Sequence, residues 1–159
     1  MKTLYYSLIA IIAGLLFSSY ILQTQTDKQD KKLLDDFRYK NLPGSEVIQK
    51  INNINYADEE GMSFLIIASA KGNKSLCEML IDKGAALDWQ AKDGMNALVA
   101  ASMQQHPIVV RYLLEKGAKP DMRWDGITAL MVAAEAGQAE IVKMLLDHGA
   151  DPDLIWEGT

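Results

Sequence analysis

Two histidines, His106 and His148, one cysteine, Cys77, and a scatter of carboxylates are the side chains here that could carry acid–base, nucleophilic or metal chemistry. General acid–base and nucleophilic catalysis need a reactive group with a partner inside hydrogen-bond reach. Zinc needs three or four ligands, brought together in closely spaced pairs. Neither pattern is present. The histidines stand far apart, and Cys77 has no second thiol, which excludes an internal disulfide. Cys77 also occupies the place that Val110 and Val142 hold at equivalent points of the chain, as a small core residue would. His106 opens a helical run and His148 closes one, where the helix dipole favours a surface imidazole. Glu59-Glu60, Asp93, Asp125 and Glu157 each precede a glycine at equivalent turns, a place for solvated turn-formers. Those glycines recur at wide intervals instead of clustering as a phosphate-binding loop requires. The residue types therefore point away from catalysis, cofactor binding and metal binding.

What the sequence does contain is a period. Gly61, Gly94, Gly126 and Gly158 stand 33, 32 and 32 residues apart. Leu65, Leu98 and Leu130 follow the first three by four positions, and Ile81, Leu114 and Leu146 follow those leucines by sixteen. A Gly-Ala pair then closes each unit, at Gly84, Gly117 and Gly149. In the last full copy Thr128 is a good cap for a helix over 129–136, and Gly137 ends it. A second helix over 139–148 puts Ile141, Val142, Leu145 and Leu146 on one face. Each run is under three turns, too short to persist alone in water, so the units must stack. The second copy alters the pattern: Gln105 stands where the others have Gly72 and Gly137, a position suited to a left-handed backbone, and Pro107 fits the following first turn.

A period near 33 with a turn and two helices identifies the chain as similar to the ankyrin-repeat family over residues 55–159. The third copy, DGITALMVAAEAGQAEIVKMLLDHGADPD at 125–153, resembles the family phrase most closely. It departs where the family has Pro-Leu-His: Ala129-Leu130-Met131 here, with Ala97-Leu98-Val99 and Phe64-Leu65-Ile66 before it. The resemblance implies an all-α solenoid of helix pairs with β-hairpin-like turns. Repeats are expected at 55–87, 88–120 and 121–153, with the start of an incomplete one at 154–159. Residues 31–54, with Leu33, Leu34 and Phe37 on one helix face and a break at Pro43-Gly44, predict a degenerate N-terminal capping repeat. At its other end the sequence stops on the turn that launches a further repeat, which is met by a capping partner, a truncated product or a tolerated open end.

A single hydrophobic helix precedes the array. No charge occurs between Lys2 and Asp27, and the apolar run at 3–22 matches the roughly 20 residues needed to cross a hydrocarbon core. Tyr5, Tyr6 and Tyr20 flank it as interface aromatics do. A transmembrane anchor and a cleaved signal peptide at 1–22 both fit, although Phe17-Ser18-Ser19 is a poor cleavage site. Residues 23–30 are polar and read as a tether. The expected placement is membrane-anchored, or exported and periplasmic, with orientation left open by Lys28, Lys31 and Lys32 interleaved with Asp27 and Asp30.

A formal net charge of −5 leaves no basic patch, so a nucleic-acid partner is not expected. In the resembling family, hairpin tips and the exposed side of the first helices hold protein partners. Carried over, that face comprises Tyr56, Trp89, Gln90, Lys92, Met122, Arg123, Trp124, Ile155 and Trp156, with Met103, Gln104, Glu135 and Ala136 near helix ends. All three tryptophans lie in these turns. They either contact a partner or pack neighbouring turns together. The implied role is protein binding without catalysis. Neutralisation of a toxin or enzyme as an immunity-type inhibitor, and protection of an exported enzyme as an accessory factor, are the alternatives.

Overall fold

Eight helices follow one another in the computed structural model, which describes the backbone of residues 2–40 and 42–156 and the side chains from residue 12. They are α1 Lys2–Lys40, α2 Gly44–Lys50, α3 Phe64–Ala70, α4 Lys74–Asp82, α5 Ala97–Met103, α6 Pro107–Glu115, α7 Ala129–Glu135 and α8 Ala139–Asp147. Among the described residues strand pairing amounts to isolated bridges, Ala57 with Ser63 and Trp124 with Ile127, at the bases of hairpin loops. The expected solenoid is present. Its inner row runs α3, α5, α7 and its outer row α2, α4, α6, α8, each helix packing on the next of its row.

Local chemistry explains each helix. The side chains of Ser63, Asn73, Asn96 and Thr128 accept the N–H three residues on and so start α3, α4, α5 and α7. Pro107 opens α6, where a missing donor costs nothing. Gln105 takes the left-handed conformation, φ 57°, in the place of Gly72 and Gly137 at φ 67°. Inner helices α3 and α5 bury nearly every side chain, Phe64 to Ser69 and Ala97 to Ser102, while α7 buries Ala129, Leu130 and Ala133. One continuous core results, running from Leu33, Leu34 and Phe37 through Leu76, Leu80, Val109 and Leu113 to Ile141 and Leu145.

The third hairpin explains the change of period from 33 to 32. The first two are closed around three residues, with Asp58 and Ala91 N–H donating to Met62 and Met95 carbonyls (3.2 and 2.8 Å). The third is closed around two, Trp124 N–H to Ile127 O at 2.8 Å and the return bond at 2.9 Å. Both central residues, Asp125 (φ 46°) and Gly126 (φ 82°), have positive φ, the tight turn that Asp-Gly favours.

The polar stretch 23–30 is not a tether. It is helical and continuous with both the apolar run before it and the capping turn after it, because no glycine or proline occurs between Gly14 and Pro43. Asp30 decides its role. This carboxylate is fully buried; Oδ1 accepts Asn52 N–H at 2.9 Å and Asn52 Nδ2 at 3.1 Å, and Oδ2 accepts Asn53 N–H at 2.7 Å. Arg38 to Asp58 (2.5 Å) and Lys31 to Glu59 (2.6 Å) add two ion pairs from α1 to the first hairpin. Among the described residues no helix is long and apolar enough to cross a membrane. Of the expected 3–22 segment, side chains are described only from Ile12, so its first half lies outside the described side chains.

Replacing Asp30 with Ala removes three hydrogen bonds to a charged acceptor, two of them from the Asn52 and Asn53 backbone N–H groups, and should lower stability by about 3 kcal/mol in urea unfolding. A change within about 0.5 kcal/mol, as expected of a solvated tether residue, contradicts this assignment.

Candidate functional site: the hairpin edge

The hairpins are stacked closely enough to exclude side chains. A Cβ on Gly94 would lie 2.5 Å from the Arg123 carbonyl oxygen, and one on Gly61 would lie 2.9 Å from Ala91 Cα. Backbone bonds run from hairpin to hairpin: Lys92 N–H to Glu60 O at 2.9 Å and Asp125 N–H to Asp93 O at 3.0 Å. A second ladder joins the loops behind them. Asn55 Oδ1 accepts Ala86 N–H (2.7 Å), Asp88 Oδ1 accepts Lys119 N–H (3.0 Å) and Asp121 Oδ1 accepts Asp151 N–H (3.0 Å).

The tryptophans belong to the same ladder. Trp89 Nε1 donates to Gly61 O at 2.8 Å, Trp124 Nε1 to Asp93 Oδ2 at 2.8 Å, and Trp156 Nε1 to Asp125 O at 3.3 Å. Each indole therefore fastens its own hairpin to the one before. Gln90 Nε2 bridges Gly94 O (3.1 Å) and Arg123 O (2.9 Å), and Arg123 donates from one guanidinium nitrogen to Gly126 O and Ile155 O at 3.0 Å each. At the first hairpin, burial works to raise the Asp58 carboxyl. The Arg38 guanidinium and the Met62 and Glu60 N–H groups outweigh it and hold that carboxyl below the ordinary range.

A family model for ankyrin repeats in three copies matches residues 42–123 and again 65–155. The chain belongs to the ankyrin-repeat family. The match begins just ahead of α2, so that helix is counted with the array. No curated protein matches the chain. Away from the hairpins, a His106 ring nitrogen lies 3.0 Å from Ala70 O and the imidazole fills the space above Gly72, joining consecutive ankyrin repeats at the far end of the inner helices.

Of the side chains carried over from the family's binding face, Gln90, Arg123 and the three indole N–H groups make contacts within the array. Tyr56 and Trp124 are half-buried against the core, and Met122 is half-buried. Lys92, Trp89, Ile155 and Trp156 remain exposed. Met103 is half-buried, and Gln104, Glu135 and Ala136 are exposed at helix ends. The structure adds a groove of about 590 Å³ where Trp124 and Trp156 face Ile127, Met131, Glu135 and Leu154. The four-residue spacing of Ile127, Met131 and Glu135 was the available signal for it.

The remaining chemical candidates are dispersed. Cys77 is buried, its thiol pushed up to about 11 by burial despite a Ser69 hydroxyl 3.5 Å away. His148 places Nδ1 2.8 Å from Met144 O at the end of α8. Among the described residues no three His, Cys, Asp or Glu side chains converge as a metal-ligand group.

The two equivalent tryptophans should separate on substitution. Trp124→Ala removes core packing as well as the Asp93 bond and should cost about 2 kcal/mol or more in urea unfolding. Trp156→Ala, 65% exposed, should cost under about 1 kcal/mol. Equal losses would contradict the division of roles.

Proposed function

We propose that this ankyrin-repeat chain is a non-enzymatic, membrane-anchored module that holds a protein partner on its hairpin edge and inner-helix face. The observation that carries it is where apolar surface remains. Among the described residues beyond α1, the exposed large apolar side chains are Trp89, Ile108, Leu146, Ile155 and Trp156, and three of these five sit on the hairpin edge. Aromatic side chains on a rigid frame dominate interface energetics once a partner covers them. The ladder beneath them has already fixed their positions, so little ordering entropy opposes binding.

The anchor reading is supported by α1. Ile12, Leu15, Leu16, Phe17, Tyr20, Ile21 and Leu22 are exposed and point to every side of the helix, without an opposing polar face. A protein groove would cover one stripe; a bilayer covers all. Helical continuity through Asp30 into the capping turn favours an uncleaved anchor over a signal peptide.

A photo-crosslinking residue at Met103 or Ile155, in the membrane fraction of the native cell, should trap one discrete adduct that the same residue at Ile108, on the outer helix α6, does not give. The same adduct from Ile108, or from Ile108 alone, overturns the assignment of the face. Alkaline carbonate should leave the chain in the membrane pellet. Release by carbonate overturns the placement.

A further inference from the structure

The groove between Trp124 and Trp156 has a composition that selects its occupant. Both indole N–H groups are used within the hairpin ladder, on Asp93 and on the Asp125 carbonyl. What the rings offer the groove is therefore carbon and π surface, to which Met131 adds a thioether. Two carboxylates, Asp125 and Glu135, line the same groove; both residues are exposed, and neither forms a salt bridge among the described residues. This differs from the first hairpin, where Arg38 and Lys31 of α1 neutralise Asp58 and Glu59.

Each kind of guest meets a different balance. A purely apolar side chain would desolvate the carboxylates without giving them a partner. An acidic one is repelled by them and by a chain of net charge −5. A cation on an aliphatic stem satisfies every wall: the stem lies along Met131, the charge sits over an indole face, and the carboxylates take charge-assisted hydrogen bonds. A planar guanidinium does this better than an ammonium, because it stacks on a ring while its edge N–H groups still donate.

We infer that the Trp124–Trp156 groove is an arginine pocket, which anchors an arginine side chain of the protein partner between the two indoles and the Asp125 and Glu135 carboxylates. This rests on the protein-binding reading above and deepens it. Glu135 is the selecting residue: it lies on the exposed side of α7 and can be changed without disturbing the ladder.

The three indole N–H signals of the full chain, ¹⁵N-labelled in non-ionic detergent micelles, give a direct readout with an internal control. Titration with N-acetyl-arginine methylamide should move the Trp124 and Trp156 signals saturably and leave Trp89 in place. N-acetyl-glutamate methylamide should move none of them. Glu135→Gln should keep all three signals at their native positions and weaken the arginine amide about threefold or more. Equal response to the two amides, a shift of all three indoles together, or unchanged affinity in Glu135→Gln overturns the pocket. If the pocket fails in this way while the Met103 adduct persists, the cation assignment falls and the protein-binding reading stands. Loss of that adduct as well removes both.

Discussion

Helices of seven and nine residues do not persist in water alone, because the few hydrogen bonds they close do not offset the backbone entropy they lose. Every repeat of this array is built from such helices, so each must bury its faces on its neighbours. Two kinds of contact accomplish this. The apolar faces of the inner and outer rows share one core from Leu33 to Leu145. The loops and hairpins are then fixed in register by bonds that step from one repeat to the next: backbone to backbone at Lys92 and Asp125, carboxamide or carboxylate to backbone at Asn55, Asp88 and Asp121, and indole to the preceding hairpin at Trp89, Trp124 and Trp156. Stability in such a chain is a sum over repeats and their junctions.

What could be read from the sequence follows the range of the interactions. Turn glycines, the Thr128 cap, the left-handed site at Gln105 and the apolar periodicity are decided within a few residues, and all were legible. The Asp30 clamp was not. Its donors lie 22 and 23 residues away, and locally nothing separates a buried carboxylate among lysines from a solvated one. The tryptophans posed the same difficulty in milder form: their position in the turns was plain, but each indole acceptor lies 28 to 31 residues back. The groove beside Trp124 needed both, since it joins a hairpin, a neighbouring hairpin and the exposed side of α7.

The same ladder connects fold to function. It positions the aromatic edge before any partner arrives and takes up the polar atoms of those side chains, leaving carbon surface and a few unpaired carboxylates facing outward. At the opposite end, α1 is part of the array and not an appendage, so the apolar half of that helix and the repeats are joined by one unbroken helix through Asp30. A partner held on the hairpin edge is thereby held at a defined distance from whatever surrounds residues 12–22.

The central claim is that hairpin-to-hairpin bonds make the repeats one cooperative structure. Native-state hydrogen exchange at the Lys92 and Asp125 amides tests it most directly, because both residues are exposed and each amide's bond goes to the hairpin before it. Both amides should open only with free energies close to that of global unfolding. Exchange at both at the rate of an unprotected surface loop would contradict it.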